Sequence, residues 1–252
     1  MRNLRLLLEY DGTDFSGWQK QPGVRTVQGA VEGAAATVFR QLVTVRGCAR
    51  TDAGVHALGY VANFHVDSDH TISRVRIALN ACLPEDVAVV HAQDETEDFH
   101  ARFSSTSRRY QYRIATMPTA MWRRYSYHTH HTMDLDRMQA AAALLVGRHD
   151  FTSFTPVTND KDPVCDLSEC SVVEEERHIL ITVEANRFLY TMVRTMAGTL
   201  MEVGRGRIDA ERMPDILGKR DRREAGPTAA ARGLTLLAAR YPEAFAGGPG
   251  AR

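Results

Sequence analysis

No apolar run in this 252-residue chain approaches the ~18 residues that cross a membrane as a helix. The opening MRNLRLLLEYDG has only a short apolar stretch, broken at Glu9 and Asp11, with no small-residue cleavage pattern behind it. Neither membrane insertion nor secretion is expected, and the cytoplasm is. Cysteine is sparse. Cys48, Cys82, Cys165 and Cys170 contain no Cys-x-x-Cys pair, so free thiols in a reducing compartment are expected. The phosphate-binding loops G-x-G-x-x-G and G-x-x-x-x-G-K-[ST] are absent, which argues against dinucleotide and P-loop nucleotide binding. His128, His130 and His131 crowd together without helical i, i+4 spacing, and no H-E-x-x-H occurs, so no metal is expected.

Net charge is absent as well: 31 basic side chains balance 31 acidic ones. A nucleic-acid binder usually shows an excess of positive charge, so the balance counts mildly against one. Its distribution is less even. Residues 1–105 carry 10 basic and 13 acidic groups, and residues 106–252 carry 21 and 18. Lysine is nearly missing, with 28 Arg against 3 Lys. Arginine is the cation whose planar fork suits phosphate, although a compositional bias of the source would give the same count.

What is present is an ordinary globular chain, 44% hydrophobic and 25% charged, long enough for a real core in one large or two small domains. Leu4–Tyr10 reads as a strand stopped by Asp11-Gly12, followed by a polar loop to Arg25. Thr26 can cap a helix to about Leu42, since Val27, Val31, Ala34, Ala35, Val38, Phe39 and Leu42 recur at spacings of three and four. Strand patterns follow at Val43–Val45, Val61–Val66 and Val87–Ala92, with a helix at Ser73–Cys82. Beyond the polar break Ser104–Ser107 come strands at Arg109–Ala115, Cys170–Glu175, Ile179–Glu184 and Thr235–Tyr241. Helices are read at Leu135–Val146, Phe188–Val203 and Asp209–Leu217. In the first of these strands Tyr110, Tyr112 and Ile114 share one face. Strands and helices in mixed order predict an α/β (α+β) fold with a largely antiparallel sheet. The expected division is 1–105, 106–245 and a frayed tail at 246–252.

The most unusual stretch is Gly47-Cys48-Ala49-Arg50-Thr51-Asp52-Ala53-Gly54-Val55-His56-Ala57. It places Arg, Asp and His within seven residues among small neighbours that let a backbone or ligand approach closely. A carboxylate so placed can act as nucleophile or base, and a nearby arginine favours its ionised form. From spacing alone, Arg50 and Asp52 equally describe a surface pair in a turn.

ARTDAGVHALGYVANFH resembles the signature of the tRNA pseudouridine synthase A family. YDGTDFSGWQKQP with TVQGAVE, then ALNACLPEDVAV, DFHARFSSTSRRYQYRI, HDFTSF, NRFLYTMVRTMAGTLMEVG and AGPTAAARGLTLL resemble further blocks of that family in the same order, over most of residues 4–241. The resemblance implies a pseudouridine synthase fold, with two related halves around a mainly antiparallel central sheet, flanking helices and the active site in a cleft. It implies a homodimer that binds tRNA and isomerises uridine to pseudouridine at positions 38, 39 and 40 of the anticodon stem-loop, without cofactor or metal.

Residue roles follow the motifs. Asp52 stands where the family has its catalytic aspartate, the nucleophile, which attacks the base or captures or stabilises the sugar at C1′; the second job is one carboxylates perform in glycosidases. Arg194 matches the basic partner that supports this aspartate. Tyr110 matches the active-site tyrosine, whose ring can stack on uracil and whose hydroxyl can assist loss of the C5 proton. Arg50 matches the arginine that enters the RNA stack as the base leaves. On pattern alone Tyr110 reads as a core aromatic, and Arg194 as a helix-surface arginine, though in an otherwise apolar stretch. His56 is read as shaping the loop, with an RNA contact as the alternative, and Arg108 and Arg109 as candidate phosphate contacts. His100 and Arg102 lie in a family block of underived role. The chain departs from the family pattern at Ala49 and Arg187, where glycine and a small residue are usual, and at Ala230, where proline is. Cys165 stands where an arginine is common, which puts an RNA contact there in doubt. A non-catalytic RNA-binding or RNA-chaperone protein of the same fold is the alternative; the intact aspartate and tyrosine favour the enzyme.

Overall fold

The computed structural model describes residues 1–157 and 162–245. The chain divides into two units, one formed by residues 1–108 with the segment from Leu236 on, the other by residues 109–235. The division lies close to the polar break at Ser104–Ser107, and the last strand belongs with the first unit from Leu236. The tail expected to fray, 246–252, lies outside the described residues.

In the first unit β1 (Arg2–Tyr10) pairs antiparallel with both β3 (His56–Val66) and β4 (Val87–Glu95). Strand order is β4-β1-β3-β10, with β10 at Leu234–Arg240, and the short β2 (Arg46–Gly47) pairs with β3. Two-residue alternation builds the core: Leu4, Leu6 and Leu8 are fully buried opposite Phe64, Ala62 and Tyr60. Each such leucine contributes about 2 kcal/mol by leaving water. Helices α1 (Val27–Phe39) and α2 (Ile72–Cys82) complete the unit, and the Thr26 hydroxyl accepts the Gly29 N–H as the predicted cap.

The alternate face of β1 is also covered, by polar groups bonded into a network that leaves Arg5 Nη2 unpartnered among the described residues. Asn3 donates to the carbonyls of Thr96 and Phe99, Asn63 donates to Asn3, and the Ala101 N–H donates to Asn63. Arg5 bonds Glu95 and the Phe245 carbonyl between the rings of Phe99 and Tyr241. Buried polar groups need such partners, so this network fixes the 96–104 segment on the sheet.

In the second unit the order is β5-β9-β8-β7, from β5 (Ser107–Ala115), β7 (Gly147–Asp150), β8 (Val164–Glu175) and β9 (His178–Ala185). β8 pairs antiparallel with both β7 and β9, and β6 (Tyr127–His128) pairs parallel with β5. Tyr110, Tyr112 and Ile114 are buried, as the alternation predicts. Helices α3 (Leu135–Ala143), α4 (Met192–Gly204) and α5 (Met213–Lys219) lie in this unit, α4 packing against α3 and burying nearly all its residues. The chain is therefore mixed α/β with mainly antiparallel sheet.

Several local expectations are corrected. Val43–Val45 is not a strand; pairing falls at Arg46–Gly47. The first helix stops at Phe39 because Arg40 turns left-handed at φ 54°, leaving Leu42 fully exposed. The helix expected from Phe188 begins only at Met192, because Thr191 takes φ 55° and breaks the pattern.

Candidate active site

In the first unit the chain leaves β2 through Cys48, whose N–H donates to the Val61 carbonyl, and crosses to β3 by residues 49–55. The N-terminal loop lies directly on this crossing. Trp18 N–H donates to the Thr51 carbonyl, Gly54 N–H to the Phe15 carbonyl, and the Tyr10 hydroxyl bonds the Thr51 hydroxyl at 2.8 Å. Gly17 makes the approach possible: its φ is 90°, and a Cβ there would stand 2.7 Å from the Thr51 carbonyl oxygen. The Val55 N–H closes a turn onto the Asp52 carbonyl at 3.2 Å. Asp52 is half-buried on this turn and Arg50, two residues earlier, is exposed.

Beneath the turn the Trp18 ring stacks on Tyr60 at 4.1 Å, and the Tyr60 hydroxyl donates to the Ala49 carbonyl. His56 is buried, with Nδ1 3.1 Å from the Gly12 N–H and 3.1 Å from the Asp11 carboxylate, an arrangement that shapes the loop as expected. The neighbouring Cys48 thiol is pushed up to about 11 by burial. No thiolate forms there at neutral pH.

The arginines read as phosphate contacts are engaged within the protein. Arg108 donates to the carbonyls of Cys48 and Arg102, tying the 100–104 segment to the start of the crossing. Arg109, in the second unit, pairs with Glu169 at 3.0 Å.

The other two predicted site residues lie in the second unit. Tyr110 on β5 is buried, its ring edge-to-face with Phe188 at 5.2 Å. Arg194 sits in the first turn of α4, half-exposed between buried neighbours. Its Nε donates to the Ala229 carbonyl at 2.8 Å, and the Ala229 N–H returns a bond to the Arg194 carbonyl at 3.0 Å. The 226–230 segment is bound further along α4, with the Gly226 N–H on the Thr199 hydroxyl and Thr228 on Thr195. Ala230 still presents its carbonyl to the Tyr112 hydroxyl, so the missing proline leaves this docking intact. Cys165 is buried on β8, and Arg187 pairs with Asp162 at 2.6 Å.

Sequence reasoning missed Tyr10, Trp18 and Thr191 as parts of these arrangements. For Trp18 the signal was a tryptophan in an otherwise polar loop.

The chain was compared with known proteins. The family described as tRNA pseudouridine synthase matches residues 7–104 and 141–242. The tRNA pseudouridine synthase A of Acetivibrio thermocellus is 41% identical over 244 residues, covering 96% of this chain and 100% of the relative. That of Chloroflexus aurantiacus is 45% identical over 251 residues, covering 96% and 90%. That of Halalkalibacterium halodurans is 40% identical over 238 residues, covering 93% and 90%.

Proposed function

The chain belongs to the tRNA pseudouridine synthase family, and from that premise we propose that it modifies uridines 38, 39 and 40 of the anticodon stem-loop with Asp52 as the nucleophile. The reaction is an isomerisation of uridine to pseudouridine in tRNA. The N1–C1′ bond breaks, the uracil turns, a C5–C1′ bond forms, the C5 proton leaves and N1 gains one. Atoms and electrons balance within the nucleotide, so the chemistry needs a positioned base and a carboxylate rather than an added reactant.

The observation that carries the reading is the Asp52 turn. Its carboxylate stands half-exposed on a backbone held from three sides by Tyr10, Phe15 and Trp18. A pre-set nucleophile loses little freedom on reaching the transition state. Tyr110 supplies the aromatic platform for the uracil, and its hydroxyl the proton relay at C5. Arg50, exposed and two residues from the carboxylate, fills the stack that the flipped base leaves. Arg194 takes the role of supporting the ionised carboxylate; its Nε donates to the Ala229 carbonyl and its own carbonyl accepts the Ala229 N–H, which fixes it on α4. The working form is a cytoplasmic homodimer, and its partner is tRNA. Among the described residues no helix is long and apolar enough to cross a membrane.

Pseudouridine mapping of tRNA incubated with the pure protein tests the reading. Modification at positions 38, 39 and 40 is expected. Modification confined to other positions contradicts the assigned target, and none at all contradicts the activity.

A further inference from the structure

A pocket opens in the first unit beside the Asp52 crossing, lined among others by Trp18, Arg46, Arg50, His100, Arg102 and Phe103. Its lining holds three arginines and no carboxylate. Arg46, Arg50 and Arg102 are exposed, and among the described residues no acidic group pairs with any of them. This sets them apart from Arg108 and Arg109, each of which is bonded inside the protein.

Phe103 is 77% exposed, a large apolar ring left in water. The His100 ring lies 4.4 Å from it and the Arg102 guanidinium 5.6 Å from its centroid. His100 Nδ1 accepts the N–H groups of Arg102 and Phe103, so the neutral ring carries its proton on Nε2 as a donor. Burial and the charge of Arg46 lower the His100 pKa, which keeps the ring neutral at neutral pH. The wall is rigid. Ala101 is bonded by Asn63 and by the Tyr241 hydroxyl, Ser104 bonds back to His100, and Arg108 holds Arg102. At the floor Gly47 admits no side chain, since a Cβ would stand 2.0 Å from the Tyr60 hydroxyl and 2.6 Å from the Trp18 ring.

An exposed aromatic, unpaired guanidinium groups and a neutral donor on a fixed frame are what a single-stranded nucleotide recognises: a face to stack on, cations for its phosphate, a donor for its base edge. Arg50 lines this pocket and lies two residues from Asp52, a span of at most about 7 Å. We propose that the pocket is a second subsite, holding the nucleotide next to the target uridine, its base against Phe103 and its phosphate on Arg46 and Arg102. The proposal rests on the tRNA reading above and deepens it: one nucleotide is reacted at Asp52 while its neighbour is held away from the stack, which keeps the target extruded.

The test couples protein and RNA changes. Phe103→Ala, at an exposed position, should fold normally and weaken tRNA binding roughly ten-fold. Each nucleotide neighbouring the mapped target is then replaced by an abasic residue, and binding is measured with both proteins. At one neighbour the abasic change should cost the native protein as much as Phe103→Ala does, and cost the variant nothing further. Arg46→Gln should weaken binding at that same site and lower its salt dependence. Independent, multiplying effects at every neighbour would overturn the subsite. Loss of tRNA pseudouridylation by the native protein would overturn the functional reading instead, so the two failures are distinct.

Discussion

The Asp52 turn and the start of α4 both present a polar group, yet they are held by different means. The turn has no regular structure. Its order comes from backbone bonds to residues more than thirty positions away, made possible by Gly17 and floored by Trp18 on Tyr60. Arg194 instead rides on a helix that is almost wholly buried, and its strain is concentrated in one residue, Thr191 at φ 55° with its buried hydroxyl oxygen unpartnered among the described residues. A β-branched residue in the left-handed region is an outlier that costs of order 1–3 kcal/mol. The difference predicts that the turn tolerates change in the side chain it presents but not in the backbone that lies on it, whereas the helix start tolerates change in its backbone hinge.

Short of removing the carboxylate itself, the largest effect is expected at Gly17. Gly17→Val puts a β-branched residue at φ 90° and drives its Cβ into the Thr51 carbonyl. A loss of about 3 kcal/mol in denaturant unfolding is expected, with turnover falling alongside. Unchanged stability would show that the N-terminal loop does not hold the turn. Next is Tyr110→Phe, which keeps the ring beside Phe188 and removes the hydroxyl. Turnover should fall about a hundred-fold with tRNA affinity held within two-fold; unchanged turnover reduces Tyr110 to a stacking platform.

A third effect separates the two kinds of arginine. The logarithm of tRNA affinity should fall linearly with the logarithm of salt, and Arg102→Gln should lower the slope by about one. A flat response in the native protein would contradict electrostatic binding. The smallest effect has the opposite sign. Thr191→Asn should stabilise the protein by about 0.5–1 kcal/mol, since asparagine accepts the left-handed region. A destabilised Thr191→Asn variant would show that the threonine side chain, rather than its backbone, is what the helix start needs.

Much of this was legible in the sequence, for identifiable reasons. Two-residue alternation marked Leu4–Tyr10 and Tyr110–Ile114, because burial on one face writes that period directly. Helical spacing marked α1 and α4, but not their ends. Arg40 and Thr191 adopt left-handed conformations that neither residue type announces, so the apolar period ran past Phe39 and started ahead of Met192. The expected helix Asp209–Leu217 is a 3-10 turn at Ala210–Arg212 followed by α5, a break placed by Pro214. As candidates, Arg50, Asp52, Tyr110 and Arg194 were visible only through ordered motifs, since each has an ordinary reading taken singly. The supports of the turn were not visible, because Tyr10, Phe15 and Trp18 reach Thr51 and Gly54 across a sequence gap that no local pattern spans. The internal bonding of Arg108 was hidden for the same reason.

The central claim is that the carboxylate of Asp52 is the reacting group, on a turn whose form does not depend on it. Asp52→Asn keeps the side-chain shape and removes the charge and the nucleophilic oxygen. The bonds from Trp18 and Gly54 and the Val55 closure run through backbone and survive the change. Tritium release from C5-labelled tRNA, measured beside tRNA binding and thermal unfolding of the same preparation, is the most direct test. The account predicts a variant that folds and binds as the native protein does and loses turnover by at least about a thousand-fold, some 4 kcal/mol of transition-state stabilisation. Turnover within ten-fold of native, with binding intact, would contradict it.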